Sequence, residues 1–428
     1  MTAISEFISG AFLPLTLFFT GIYFFVFLSK YIFSPFKIYR ALKNKNDSSL
    51  SVSSLWLALG GTLGVGNITG VCAAIAVGGA GTVFWIWVCA ILSSVIKYSE
   101  TVISVHFREK DENGQNFGGA FSYIKNALNS PRLAVLFAIL CIITSFTMGN
   151  ITQVRSAADA SYFAFDVPNP VFSFVFFVLV LVICSGGGKL ITTFTGLTVP
   201  FLCVFYVVIS LIVIVAFRDN IPEVTSRIFR EAFTPRAEAS GIAAFLCSPA
   251  LRLGITRGIM SNEAGCGTAP IAYAAGDSSD ACGSGLLGIV EVLCDTLILC
   301  TLTAYAVLLS ETAFYDASVL TAYSAFSSFL GNGVRYLLGF SIFMFALAAV
   351  SAWGFYGRSA LKFLRMKSPA NAIYCFFFAF SSFVSVFIPE AVCWTIADIS
   401  ISLMAVINIF ALFRLFPTVK ALTKDYFR

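Results

Sequence analysis

Charged residues are scarce in this sequence of 428 residues: Asp, Glu, Lys and Arg together make up only 11% of it. Soluble domains carry about 25% charged residues and roughly 45–50% apolar ones. Here the apolar share is 58%, and 46 residues are Phe. A chain of this composition cannot cover a soluble surface, so we predict a membrane protein.

Motifs for catalysis are also missing. Histidine occurs once, at His106, and the sequence contains no HExxH, GxSxG, Walker or CxxC pattern. Since those patterns carry metal, nucleophilic and nucleotide chemistry, we predict no enzyme, no cofactor and no nucleic-acid partner. The 12 cysteines lie mostly in apolar runs, as small buried side chains do. The N-terminus lacks the basic region and cleavage site of a removable signal peptide.

Long apolar runs dominate the sequence instead. Runs near 20 residues fit transmembrane helices, whereas strands of a membrane barrel alternate over about ten residues. The eleven candidate spans are 11–33, 55–77, 82–106, 132–158, 169–186, 190–217, 240–276, 285–311, 333–356, 369–388 and 391–414. They predict an all-α integral membrane protein with about 11 transmembrane helices.

Lysine and arginine collect in alternate segments between these spans. They are frequent at 34–54, 107–132, 357–368 and 414–428, whereas 218–239 balances arginine with acidic residues. Positive loops stay in the cytoplasm, so we expect the N-terminus outside and the C-terminus inside. The amphipathic segment 218–239 is expected on the outer surface, and the whole chain in a bacterial plasma membrane.

Two predicted spans contain clusters of helix-breaking residues. Residues 60–70 hold five glycines, and 257–267 read Arg-Gly-Ile-Met-Ser-Asn-Glu-Ala-Gly-Cys-Gly. The clusters lie five spans apart, as expected of two discontinuous helices in a five-plus-five inverted repeat. Unwound backbone survives in hydrocarbon only where it lines a cavity, so the clusters predict a binding site. Close helix packing is the alternative explanation, and the second break could instead lie near 240–241.

Ionisable residues inside spans are functional candidates, since each costs about 2.5–3.5 kcal/mol on insertion scales. The candidates are Glu100, Arg155, Arg252, Arg257, Glu263, Glu291, Asp295 and Asp398. A structural pair with Lys97 explains Glu100, and a pair with Asp159 is one explanation of Arg155. Arg257 and Glu263 flank the second cluster and either brace it or act in gating. Glu291 and Asp295 share a helix face and either contact neighbouring helices or handle a cation.

Several stretches resemble one transporter family. Residues 61–71 read Gly-Thr-Leu-Gly-Val-Gly-Asn-Ile-Thr-Gly-Val, residues 97–100 read Lys-Tyr-Ser-Glu, and 261–265 read Ser-Asn-Glu-Ala-Gly. Together with Trp-Gly-Phe-Tyr-Gly at 353–357, they resemble the alanine or glycine:cation symporters, also called sodium:alanine symporters, of the APC superfamily. The resemblance covers roughly residues 10–415. It implies a LeuT-like core of five plus five helices, preceded by one extra helix.

The resemblance also implies a substrate and a site. The family imports alanine, glycine and sometimes D-alanine with Na⁺. Matching positions assign substrate contacts to Thr62, Gly66, Asn67, Gln153, Met260, Asn262 and Trp353, with Met260 and Trp353 limiting the side chain to about a methyl group. Sodium ligands would come from Gly60, Thr62, Leu63 and Asn67.

This sequence departs from the family pattern at three places. Val65 replaces a threonine, Arg155 replaces an asparagine, and Ala348-Ala349 replace a Ser-Thr pair in the eighth core helix. Two methyl groups cannot bind Na⁺. We therefore hypothesise that this sodium site is lost and that transport is coupled to H⁺ or to nothing. Arg155 would then supply a fixed positive charge, or admit the second carboxylate of an acidic amino acid.

The combined prediction is a secondary transporter of small neutral amino acids that acts as a monomer by alternating access. A proton-coupled or uncoupled permease or exchanger of broader specificity is one alternative, and a channel is another. We divide the chain into an extra helix with its loop at 1–54, a first repeat at 55–217, a second part at 218–388, and a last helix with the C-terminus at 389–428. The amino acid, its stereoisomer and the coupling ion stay open.

Overall fold

The computed structural model describes residues 13–33, 36, 39, 48–234, 249–311, 318–366 and 368–428, and it is almost wholly helical. The helices of the first half are α1 (Leu13–Ile32), α2 (Ser48–Thr62), α3 (Thr69–Gly78), α4 (Gly81–His106), α5 (Ala120–Asn126), α6 (Pro131–Phe146), α7 (Thr152–Phe165), α8 (Asn169–Ser185), α9 (Gly187–Ala216) and α10 (Ile221–Ala232). Those of the second half are α11 (Pro249–Asn262), α12 (Ala269–Ala274), α13 (Ala281–Val292), α14 (Thr301–Leu309), α15 (Ser318–Leu330), α16 (Val334–Phe363), α17 (Ser368–Val384) and α18 (Glu390–Tyr426).

Short irregular pieces join several of these helices. Turns of 3₁₀ helix occupy Val65–Asn67, Arg218–Asn220 and Ser385–Phe387. Turns of π helix at Thr147–Ile151 and Leu293–Cys300 connect α6 to α7 and α13 to α14, so each of these pairs forms one continuous span. Two antiparallel two-residue strands, β1 (Glu109–Lys110) and β2 (Asn116–Phe117), form the only sheet in the described ranges.

The predicted class of helical membrane protein is confirmed. Within the described residues, eight helical spans are long and apolar enough to cross a membrane, or nine if the bent pair α2–α3 is counted as one span. The predicted span 169–186 corresponds to α8, which is not counted among these spans because its 17 residues fall short of a minimum length of 18 residues. Residues 240–248 of another predicted span lie outside the described part, so the number eleven stays a prediction.

Two helices lie outside all predicted spans and the amphipathic segment, namely the short α5 and α15. Helix α15 has 13 residues, which corresponds to a length of about 20 Å, against roughly 30 Å for the hydrocarbon core of a bilayer. Its sequence interrupts apolar residues with Ser and Thr, so the search for long apolar runs missed it. It packs against α3, α14 and α16.

Helices α4 and α16 form the centre of the molecule. Of the 18 most apolar consecutive residues in each of these helices, 78% are buried, against 33% in α1 and α17. Helix α4 packs against α1, α10, α11 and α13, and α16 packs against α2, α6, α7 and α9. The outer helices expose large apolar side chains, such as Phe19 and Phe377, as expected of surfaces that face lipid rather than water.

The β1–β2 hairpin ties the first half of the chain to the second. The Arg108 guanidinium donates to the carbonyl oxygens of Gly276 and Ser278, at 2.7 Å each. Asp111 accepts from the Lys362 ammonium at 2.7 Å, and this hydrogen bond holds the pKa of Asp111 below its usual value. These contacts link the hairpin to the loop before α13 and to the end of α16.

Glycine allows a close contact between the first π turn and α16. A Cβ on Gly149, in the first π turn, would lie 2.3 Å from Cγ of the fully buried Trp353 on α16. That separation is far inside van der Waals contact, so the indole ring can take this position only because residue 149 has no side chain.

We predict that Gly149→Ala destabilises the protein by about 1–3 kcal/mol, because the added methyl group overpacks the contact with Trp353. Gly196→Ala is the matched control, since a Cβ at that position in α9 meets nothing within 4 Å. Thermal unfolding of the purified protein in detergent measures both. Equal melting temperatures for the two variants would contradict the packing described here.

Candidate substrate site

The first predicted break is present. Helix α2 ends at Thr62, a 3₁₀ turn covers Val65–Asn67, and α3 begins at Thr69, with a bend of 68° between the two helical parts. Distant side chains pair the backbone groups that the bend frees. The Val65 N–H donates to Gln153 Oε1 at 3.1 Å, and the Asn67 carbonyl accepts from Thr303 Oγ1 at 3.1 Å. These bonds remove the cost of unpaired backbone in an apolar interior.

In the second cluster, residues 257–267, only the part after Asn262 is irregular. Helix α11 continues to Asn262, and the chain is non-helical from Glu263 to α12. Glu263, Gly265 and Gly267 have φ values of 52°, 83° and 78°, a region that favours glycine. Asn262 stabilises this turn, since its Oδ1 accepts from the Ala264 N–H at 3.0 Å. The alternative break at 240–241 lies outside the described residues.

A buried carboxylate connects the two breaks. Asn67, in the first break, donates through Nδ2 to Asp295 Oδ1 at 2.6 Å. Ser261, next to the second break, donates to Asp295 Oδ2 at 2.6 Å, and Thr296 donates to the same oxygen at 2.8 Å. Asp295 lies in the second π turn and is fully buried. Three donors converge on the two oxygens of one carboxyl group, so this buried polar group is satisfied by residues from both breaks.

A cavity of about 210 Å³ opens beside this carboxylate. Its lining residues are Gly61, Thr62, Gly64, Val65, Gly66, Asn67, Thr69, Gly70, Val71, Ala73, Ile86, Met148, Thr152, Gln153, Ser156, Arg257, Ser261, Glu263, Cys300 and Trp394. A Cβ on Gly66 would meet nothing within 4 Å, so this residue exposes bare backbone to the cavity. Sites for drug-sized ligands are about 300–1,000 Å³, so this cavity suits a smaller molecule.

Both signs of charge reach the cavity wall. Arg257 and Glu263 line it together, and Nη1 of Arg257 lies 3.6 Å from the place of a Cβ on Gly70. Glu263 Oε2 accepts from Thr268 Oγ1 at 2.8 Å, which orients the carboxylate within its own turn. The cavity wall therefore carries one basic and one acidic side chain at different points.

The structure brings together six of the residues singled out in the sequence. Thr62, Gly66, Asn67, Gln153, Arg257 and Glu263 all line the cavity. Asp295 lies directly behind Asn67 and Ser261, and Asn262 lies in the same region, where its Nδ2 donates to Gly258 O and Thr296 Oγ1. The side chain of Met260 lies outside the described part.

Other expected residues are not among the lining residues of the cavity. Trp353 packs on Gly149, and its Nε1 has no hydrogen-bond partner among the described residues. Arg155 pairs with Asp159 at 3.5 Å and donates to the Val386 carbonyl at 2.8 Å, which is the structural explanation considered above. The expected sodium ligands Gly60 and Leu63 do not belong to the described lining, and neither do Ala348 and Ala349.

Sequence reasoning missed several residues of the wall. Thr152 and Ser156 accompany Gln153 on one face of α7, and their spacing of four residues could have revealed them. Ser261 was part of the quoted motif but was not selected. Trp394 comes from α18, and no local signal in the sequence connects it to the two breaks.

Broken helices that meet at a small polar cavity inside an apolar bundle are typical of membrane transporters. The fold is similar to that of a Na⁺-coupled sialic acid symporter in a substrate-bound outward-open state, with a TM-score of 0.54 and 11% identity, over 98% of this chain and 85% of that one. The model of the sodium:alanine symporter family matches residues 1–428, so the chain belongs to this family and the predicted resemblance is confirmed.

Individual relatives agree with this assignment. An uncharacterized transporter of Haemophilus influenzae is 32% identical over 438 residues, which cover 100% of this chain and 96% of that protein. The sodium/alanine symporter AgcS of Methanococcus maripaludis is 31% identical over 427 residues, which cover 98% of this chain and 92% of that protein. The protein is thus a multi-pass amino-acid:cation symporter by family.

We predict that Gln153→Met destabilises the protein by about 1–3 kcal/mol, because the Val65 N–H would lose its acceptor in a buried place. Gln153→Glu keeps an oxygen at the same distance along the side chain and should lose less. Thermal unfolding in detergent without amino acid measures both variants. A Gln153→Met protein as stable as the unmodified one would show that Gln153 does not hold the first break.

Proposed function

We propose that the protein imports small neutral amino acids, such as alanine, glycine or D-alanine, by alternating access around the described cavity. The single observation that carries this proposal is a cavity of about 210 Å³ at the junction of two helix breaks that share Asp295. A channel would not need a binding site of this size.

Recognition of the substrate follows from the ends of the broken helix. The N-terminus of α3 has free N–H groups and a partial positive charge, which favours a carboxylate. The C-terminus of α2 has carbonyl oxygens and a partial negative charge, which favours an ammonium group. Gly66 lets the substrate backbone approach closely, and Thr62, Asn67 and Gln153 supply polar contacts around it. A small side chain fits the remaining volume.

We extend the proposal to the architecture. It has eleven transmembrane helices in a LeuT-like arrangement, with α1 as the extra helix and the two breaks in equivalent helices of inverted repeats. The N-terminus is outside, the C-terminus is in the cytoplasm of a bacterial cell, and one chain forms the working unit. Support comes from the five-span separation of the breaks and from the distribution of lysine and arginine.

The coupling ion is the point at which this chain departs from its family. Helix α2 packs against α16, where Ala348 and Ala349 are fully buried. Their methyl groups offer no oxygen to an ion held at the carbonyl end of α2, and Na⁺ binds through oxygen ligands. We propose that this sodium site is lost and that uptake does not require Na⁺.

We predict that Asn67→Ala reduces substrate counterflow at least about tenfold. The variant loses a contact to the substrate and also a bond to the Asp295 carboxylate, and bonds to charged groups contribute about 1.5–3 kcal/mol. Counterflow of radiolabelled alanine in proteoliposomes measures this effect. Counterflow also distinguishes the two classes, because a carrier exchanges substrate in this way and a channel does not. Asn113→Ala, in the exposed hairpin, is the control. Normal counterflow by Asn67→Ala would refute the site.

We predict that alanine uptake is unchanged when choline replaces Na⁺, because the hydroxyl ligands are absent. The double variant Ala348→Ser with Ala349→Thr restores those hydroxyls and should make uptake increase with Na⁺ concentration. Initial uptake rates over a series of Na⁺ concentrations test both statements. A steep Na⁺ dependence of the unmodified protein would contradict the loss of the site.

A further inference from the structure

A second group of charges lies away from the substrate cavity. Lys97 and Glu100 on α4 face Glu291 on α13, and all three side chains are fully buried. Lys97 Nζ lies 3.2 Å from Glu291 Oε1 and 3.8 Å from Glu100 Oε1. We name these three residues the lysine cluster. It contains one positive group and two acidic groups.

Each acid of the lysine cluster accepts one hydrogen bond from a neutral donor. Glu100 Oε2 accepts from Asn408 Nδ2 at 2.9 Å, and Glu291 Oε2 accepts from the Tyr273 hydroxyl at 3.0 Å. The other oxygen of each acid, Oε1, points toward Lys97. Glu291 Oε1 has the Lys97 ammonium as its ion-pair partner at 3.2 Å, whereas Glu100 Oε1 lies 3.8 Å from it and has no hydrogen-bond partner in the described part of the chain. Two carboxyl oxygens therefore share one ammonium group.

The charge balance of this cluster requires one more positive charge. A buried charge without a partner is very costly in an apolar interior, so one ammonium cannot neutralise two carboxylates. A metal ion is a poor candidate, because Lys97 Nζ already takes the place between the two carboxylates. A proton needs no coordination shell and can bind a free Oε1 directly. We propose that the lysine cluster is a proton-binding site, in which Glu100 and Glu291 share one proton that moves with the transport cycle.

The lysine cluster is connected to the substrate site through the second break. Asn408 Nδ2, which donates to Glu100, also donates to the Gly265 carbonyl at 2.9 Å. Gly265 lies in the same turn as Glu263, which lines the cavity and is within electrostatic range of Lys97 and Glu291. Loss of the proton changes the charge that this turn meets, so the state of the lysine cluster biases the wall of the cavity.

Further titratable groups surround the acids and set the conditions for proton binding. Those that face the lysine cluster are Glu263 and Cys266 in the turn, Tyr273 on α12, Cys294 and Asp295 after α13, Tyr123 on α5 and Tyr356 on α16. Among the described residues that interact with the two acids, Lys97 is the only cation, and this shortage of positive charge favours the bound proton.

This inference rests on the proposed function for the link to transport, but proton binding can be tested without an amino acid. We would adsorb proteoliposomes of the full chain to a solid-supported membrane and apply steps of pH. The unmodified protein should give a transient charge displacement that saturates with pH. Glu291→Gln and Glu100→Gln should both lose it, since each leaves a neutral pair with Lys97. Glu112→Gln, an exposed hairpin residue, should keep it.

The same loss of charge displacement is expected for both cluster variants, so a failure of one variant to fold does not decide the test. If either variant folds and keeps the full displacement, the lysine cluster is not the proton site. A structural ion pair with a permanently bound proton would also give no displacement in the unmodified protein, and that result would overturn the proposal as well.

A second measurement connects the proton to transport. With the membrane potential clamped, a gradient of one pH unit should accumulate alanine about tenfold if one proton accompanies each substrate. Both cluster variants should equilibrate without accumulation, while counterflow stays measurable. Alanine counterflow without pH-driven accumulation would overturn the coupling role of the cluster. Charge displacement without transport of any amino acid would instead leave the proton site standing and refute the proposed function.

Discussion

The carboxylate of Asp295 is the group on which the candidate site depends. A helix that breaks inside a membrane frees backbone and side-chain polar groups that water cannot reach, and each must find a partner within the protein. Asp295 accepts from Asn67 in the first break and from Ser261 beside the second. One buried charge thereby fixes two segments that are far apart in sequence. Without this carboxyl group, the two hydrogen bonds that join the breaks would be lost.

This connection also explains why the cavity is small and polar. The π turn at Leu293–Cys300 places Asp295 between the breaks. The bend of 68° between α2 and α3 opens space on one side of this residue. Gln153 pairs the backbone at Val65 from the opposite side. The walls are thus made of groups that already hold the breaks in place. A substrate meets a surface that is largely organised before it binds, so less of its binding energy is lost in ordering the protein.

The sequence predicted the membrane class, the family and the position of the first break, because composition, motifs and clustered glycines are local signals. It did not predict which way every site residue faces. The π turn at Thr147–Ile151 adds a residue to one helical turn just before Gln153 and Arg155, and a helix register that is counted without it is shifted. Trp353 lies against Gly149 because that glycine leaves space for it, a complementarity between distant segments. Trp394 reaches the cavity from α18 for a similarly non-local reason.

The departure at Ala348 and Ala349 and the buried charges of the lysine cluster have one common explanation under the proposed proton coupling. At Ala348 and Ala349 the chain lacks the hydroxyl oxygens that a sodium ion would need, and both residues are fully buried. In the lysine cluster, Glu291 is the second acidic side chain beside Lys97, together with Glu100. A sodium ion requires several oxygens at fixed distances, whereas a proton requires one carboxyl oxygen and a low cost of neutralising it. Methyl groups at the first place and two acids beside one ammonium group at the second are therefore the two features on which the proposed coupling to a proton, rather than to a sodium ion, rests.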